Sequence, residues 1–184
     1  MLLGRAVHAA EAAGKVETAR GECYAQTTSA RRQLAPAEAV FVGDTVGTGV
    51  QSALGMHLGV ATELRLGAEA RLRIDRFLVD AGGVLTLERG ALLYDHDEKT
   101  GQSDVTVRSP FGLVAVRGTR LFAGPSNGVF GVFVERGAVT VVGQRTAVLL
   151  VSGTGTNIAR PGAEPTDPAP WGAQRIAAAM ASVG

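Results

Sequence analysis

The sequence predicts an all-β domain of short stacked strands, a β-roll or twisted solenoid-like fold, closed by a short C-terminal helix. A β-sandwich is the alternative architecture. Three observations carry this expectation. Apolar residues recur with period two in many short runs, the pattern of half-buried strands. Glycine, 25 of 184 residues, stands at most of the boundaries between runs, where turns use it. A strand–glycine–strand unit also recurs.

The elements follow in order. Residues 1–14 (MLLGRAVHAAEAAG) read as an N-terminal tail or the remnant of an export signal. Arg5, His8 and Glu11 interrupt the apolar stretch of about 7–15 residues that a signal peptide needs. The β domain is expected over 15–159, with strands at 15–20, 38–42, 62–66, 70–75, 84–87, 91–94, 104–108, 113–116, 119–122, 129–135, 138–142 and 147–151. In 70–75, Ala70, Leu72 and Ile74 share one face while Arg71, Arg73 and Asp75 share the other. Glycines such as Gly67, Gly90, Gly112, Gly118, Gly137 and Gly153 punctuate the strands. The stretch from Leu85 to Leu92 resembles that from Val132 to Val139, sharing Glu-Arg-Gly-Ala. Such a unit cannot bury its own apolar face and must stack on another. Residues 160–170 hold four of the seven prolines and read as a linker. In 171–184, Ile176, Met180 and Val183 form one apolar stripe of a short helix. A helix this short is marginal alone, so it is expected to dock on its own domain or on a partner.

Composition excludes several functions. The formal charge is +1, so no electrostatic footprint for nucleic acid is present. No apolar run reaches the roughly 18 residues of a membrane span. The one cysteine, Cys23, rules out an intrachain disulfide framework and a cysteine-based zinc cluster; it reads as a small buried hydrophobe.

No catalytic constellation stands out. The histidines are His8, His57 and His96, and neither a nucleophile elbow nor a nucleotide fingerprint occurs. The glycine-rich residues 46–49 lack the lysine of a phosphate loop. Asp95, Asp97 and Glu98 offer oxygen ligands, but their spacing matches no dedicated calcium loop. They are expected on an exposed hairpin tip. No cofactor or metal is expected. Arg117 is expected partly buried, pinning its turn or receiving an anion, with Gly118 allowing a close backbone approach. Arg71, Arg73 and Arg76 form a basic row, read as a solvated strand face or as a surface for an acidic partner.

Several segments in colinear order resemble FecR-type domains. These are 42–49 (VGDTVGTG, with Gly43, Asp44, Thr48 and Gly49), 64–75 (LRLGAEARLRID) and the turn Glu88-Arg89-Gly90-Ala91. The most specific is 107–122 (VRSPFGLVAVRGTRLF), with Pro110, Gly112, Arg117, Gly118 and Thr119. Residues 134–139 (VERGAV), with Glu135 and Gly137, and a late glycine at 153 or 155 complete the order. The resemblance implies a periplasmic or extracellular β-rich module. In regulators of this type it relays a signal from an outer-membrane transporter to an extracytoplasmic-function sigma factor. Without a helical anti-sigma region or a transporter-docking domain, the chain is expected to be a stand-alone exported protein.

The expected function is a non-enzymatic binding or signalling module of the cell envelope with a protein partner, linked through partners to signal transduction or sigma-factor regulation. The alternatives are an assembly protein oligomerising through strand edges, and a hydrolase of envelope polymers using the Asp95–Glu98 carboxylates. Nothing in the sequence sets the oligomeric state.

Overall fold

The computed structural model describes residues 11–78, 82–97, 99 and 104–184. Its strands are β1 (Ala12–Arg20), β2 (Cys23–Gln26), β3 (Arg31–Gln33), β4 (Ala39–Phe41), β5 (Thr45–Thr48), β6 (Ala53–Leu58), β7 (Thr62–Leu66), β8 (Arg71–Leu78), β9 (Gly82–Arg89), β10 (Leu92–His96), β11 (Asp104–Ser109), β12 (Gly112–Ser126), β13 (Val129–Val142), β14 (Ala147–Val151), β15 (Thr154–Ile158) and β16 (Ala169–Pro170). One helix, α1 (Ala173–Ala181), follows. The fold is all-β with a short C-terminal helix.

The strands join one hydrogen-bonded sheet with two arms. In the first arm β3, β2, β5, β8, β9 and β11 lead to the N-terminal half of β12, where Val105 pairs with Val116. In the second arm β4, β1, β6, β7 and β10 lead to its C-terminal half, where Tyr94 pairs with Leu121. β13 runs antiparallel to β12 along both halves, adding β14 to the first arm and β15 with β16 to the second. The chain shuttles between arms, and six crossings pass through a glycine of positive φ: Gly21, Gly43, Gly90, Gly118, Gly137 and Gly153. This winding is the roll that the alternating short strands predict.

The arms share one core. Leu72, Ile74, Leu85 and Val107 of the first meet Met56, Leu64, Leu92, Tyr94 and Leu121 of the second, all essentially solvent-free. Each large aliphatic side chain so buried contributes roughly 1.5–3 kcal/mol. Period two then places Leu93, Phe122 and Phe133 on the outer face of the second arm. There they form a separate apolar cluster with Trp171, Ala179 and Val183 of the C-terminal segment. Ile176 and Met180 flank it, so the predicted stripe faces the sheet.

Some local expectations fail for physical reasons. Gly118 and Gly137 do not end strands. They sit opposite each other inside β12 and β13, where pairing slips between Arg117–Ala138 and Arg120–Arg136. This is a β-bulge, which bends the long hairpin from one arm into the other. Accordingly, 113–116 and 119–122 are parts of one strand, as are 129–135 and 138–142. The repeated Glu-Arg-Gly-Ala connects β9 to β10 in its first copy and lies within β13 in its second. β1 begins at Ala12. Residues 160–170 run against the domain: Glu164 Oε2 accepts from the Thr146 hydroxyl at 2.7 Å, and Ala163 packs on the core. Arg5, His8 and Glu98 lie outside the described residues.

Candidate interaction site

Most motif residues lie at strand crossings, while Pro110 and Gly112 lie at the β11–β12 turn within the first arm. The Gly43 amide donates to the Ile74 carbonyl at 2.8 Å. Its φ of +92° requires glycine, although a β-carbon there would meet nothing within 4 Å. The Asp44 side chain is buried, accepts from Arg32 Nη2 at 2.6 Å and from the Phe41 amide at 3.0 Å. These bonds compensate its burial. The Thr48 hydroxyl donates to the Gly67 carbonyl at 2.6 Å and accepts from the Ala70 amide at 2.9 Å, tying β5 to the β7–β8 connection. The Gly49 amide donates to the Glu22 carbonyl at 2.9 Å. Pro110 lies on the exposed β11–β12 turn, and Gly112 has its carbonyl 3.1 Å from the Ser109 hydroxyl.

Arg117 is exposed rather than partly buried, its Nε 3.8 Å from Asp104 Oδ1. The residue enclosed at this point is Thr119. Its hydroxyl lies 2.9 Å from the Arg117 carbonyl and 3.1 Å from the Ala138 carbonyl. Regular alternation would put residues two apart on one face; the bulge shifts that phase by one, so Thr119 takes the interior while Arg117 takes the solvent.

Asp95 departs furthest from expectation. It lies in β10, not on an exposed tip, with its side chain 22% exposed. Oδ2 accepts from Arg120 Nη1 at 2.6 Å and Oδ1 from Arg136 Nη2 at 2.7 Å. Arg120 also pairs with Glu135. Two carboxylates and two guanidiniums thus form a neutral cluster beside the bulge. The Asp95 and Glu135 charges raise the Arg120 pKa, although burial, the largest single influence, acts to lower it. A cleft of about 570 Å³ borders the cluster, lined by His57, Glu63, Asp95, Asp97, Lys99 and Arg136 among others. Asp44 and Glu69 do not line it, so the facing carboxylate pair that glycoside hydrolysis needs is not formed with them. Among the described residues, no group of three or more His, Cys, Asp or Glu side chains is arranged to hold a metal ion.

Beneath this cleft, Thr62 Oγ1 and His96 Nδ1 are 2.9 Å apart and buried. Thr62 also neighbours the enclosed Tyr94 hydroxyl, but without hydrogen-bond geometry, leaving that hydroxyl unsatisfied. Burial pushes the Tyr94 phenol up to about 12. Cys23 is buried too, its Sγ 3.3 Å from the Ala53 carbonyl, and desolvation raises its thiol pKa. It is a core residue whose burial opposes a thiolate.

The basic row on β8 is partly neutralised by the sheet itself. Arg71 Nε is 2.6 Å from Glu88 Oε2, a charge contact whose angle falls short of a hydrogen bond. Arg73 Nε is 3.1 Å from Asp75 Oδ1. A second bulge, between Ile74 and Arg76, keeps Arg76 exposed after Asp75.

The free edges differ sharply. β3 carries Arg31 and Arg32, and β4 is three residues long. β16 is two residues long and ends in Pro170. Charge, brevity and proline all blunt an edge against further pairing. β14 has none of these. Its five residues are all apolar, and it pairs only with β13 among the described strands. Leu149 is 61% exposed and Val151 48%. The sequence places a strand here, but only topology shows that it is an edge.

The described residues contain no helix long and apolar enough to cross a membrane. The profile of the FecR protein family matches residues 44–140, from buried Asp44 to β13. Two crystal structures, at 1.65 and 2.50 Å, of a candidate anti-sigma factor from Parabacteroides distasonis ATCC 8503 have a similar fold. Each superposes with a TM-score of 0.60 at 16% identity over 74% of this chain. The chain spans 64% and 63% of their lengths, under two thirds. No curated protein matches.

Proposed function

The chain belongs to the FecR protein family, and on that premise we propose that it is a non-enzymatic binding and signalling module of the cell envelope. It acts in the periplasm or outside the cell, engages a protein partner, and contributes through that partner to sigma-factor regulation. The likeness in fold to a candidate anti-sigma factor supports this reading. The observation that carries it is β14. An unblunted apolar edge in a sheet whose other described edges are blunted is a ready template for strand addition. The glycines and Thr119 of the motif build the fold that presents this edge.

The test is recovery of cross-linked partners from envelope fractions of the native host. Wild-type chain retains a partner protein, and Leu149→Lys, which sets a charge on the exposed edge, loses it. Equal recovery by both chains refutes the role of this edge. A second reading, assembly of copies through the same edge, is separated by light scattering of the purified chain. A concentration-dependent oligomer abolished by Leu149→Lys supports assembly.

A further inference from the structure

The C-terminal segment lies outside the second arm in a socket that the sheet shapes around it. Trp171 stacks on Phe133, with ring centroids 5.2 Å apart, and meets Phe122 edge-on at 6.3 Å. Arg175 covers the indole at 3.5 Å. Its guanidinium donates to Ser126 Oγ at 2.9 Å and to Asn157 Oδ1 at 2.7 Å.

Glycine makes the space. A β-carbon at Gly131 would have as its three nearest neighbours Trp171 Cη2 at 2.6 Å, Trp171 Cζ2 at 2.8 Å and Arg175 Nη2 at 3.0 Å. At Gly67 the nearest atom would be the Ser182 carbonyl oxygen, at 2.1 Å. Gly131 stands inside β13, where glycine weakens a strand and valine favours it. The conflict a larger side chain would meet there is with the C-terminal segment.

Two features make this segment separable. Its apolar cluster is distinct from the core shared by the arms. The nine-residue helix has no side-chain cap, no acid in its first turn and no base in its last, so it is marginal without the socket. We propose that the socket is a docking site for a tryptophan-led amphipathic helix, filled in cis by residues 171–183 and able to take the same segment from a second copy.

The test uses full-length chains and a labelled peptide of residues 169–184, independently of the function inferred above. Trp171→Ala removes the indole and loosens the tethered segment, and the peptide binds this variant saturably. Wild type binds it at least about tenfold more weakly, because a tethered segment competes at an effective concentration on the order of millimolar. Adding Gly131→Val to Trp171→Ala abolishes binding. Absence of binding to a folded Trp171→Ala chain, or equal binding after Gly131→Val, overturns the proposal. So does loss of the β fold in Trp171→Ala, which would make the segment part of the cooperative core. Hydrogen exchange of the unmodified chain tests the same separability by another route. Amides of α1 exchange at least about tenfold faster than those of β13 if the segment opens separately; equal rates overturn the proposal.

Discussion

The Thr119 hydroxyl lies 3.1 Å from the Ala138 carbonyl oxygen, joining β12 to β13 where their regular pairing lapses. The same hydroxyl is 2.9 Å from the Arg117 carbonyl, so one proton serves two acceptors at a bend on which both arms depend.

Thr119→Val keeps the side-chain shape and removes that proton. It is expected to destabilise the fold by about 1–2 kcal/mol, the cost of an enclosed carbonyl left short of a donor. Thr119→Ser retains the hydroxyl and recovers most of the loss. Urea unfolding of the three chains provides the measurement, and a valine variant as stable as wild type would show that the bond contributes nothing.

Two of the crossing glycines, Gly137 and Gly43, differ in what surrounds them. At Gly137, φ is +89° and a β-carbon would stand 2.8 Å from the Gly118 carbonyl oxygen. At Gly43, φ is +92° and nothing lies within 4 Å. Gly43→Ala is therefore expected to cost about 1 kcal/mol from backbone strain alone, and Gly137→Ala about 2–3 kcal/mol because a clash is added. Thermal unfolding that ranks them in reverse contradicts this account.

Asp95 bridges Arg120 and Arg136, which lie 25 and 41 residues away in sequence. Asp95→Asn leaves the two guanidiniums with only the Glu135 carboxylate, which pairs with Arg120. The expected loss is about 1–2 kcal/mol, kept modest by partial solvent screening. The deficit relative to wild type shrinks as salt is raised, because screening weakens the uncovered repulsion. A salt-independent deficit would assign the effect to packing instead.

Tyr94 makes the fold sensitive to alkali. Its folded pKa, about 12, lies above the ordinary value of 10, so between these values the folded state holds a proton that the unfolded state has released. Stability is full below about pH 10 and falls as pH rises toward 12, by up to about 1.4 kcal/mol per pH unit. Tyr94→Phe removes this dependence. It also removes an unsatisfied hydroxyl, so at neutral pH it is neutral or stabilising. Chemical unfolding at pH 8 and pH 11 compares the chains, and an unchanged alkaline loss in the phenylalanine variant locates the titration elsewhere.

The elements legible in the sequence are those with one wet face. β8 alternates Arg71, Leu72, Arg73 and Ile74 because one side meets water and the other the core. The stripe of α1 is visible for the same reason. β2 and β5 escaped because no such contrast marks them: Cys23, Tyr24 and Ala25 are buried in succession, as are all four residues of β5. A strand covered on both sides loses its period. Glycine misled at 118 and 137 because a positive φ serves a bulge as well as a turn, and the difference lies in the opposing strand.

By itself the sequence determined the β class, the glycine punctuation of its short strands, the short C-terminal helix with its apolar stripe, and the resemblance running from residue 42 to the late glycine at 153 or 155. These depend on local conformational preference and on the alternation of apolar and polar side chains, both written within a few residues. Tertiary structure alone decided that Asp95 meets Arg120 and Arg136, that Gly131 makes room for Trp171, and that β14 pairs on one side only among the described strands. Each depends on which distant strands become neighbours, and that is set by the shared burial of both arms rather than by any short run of residues.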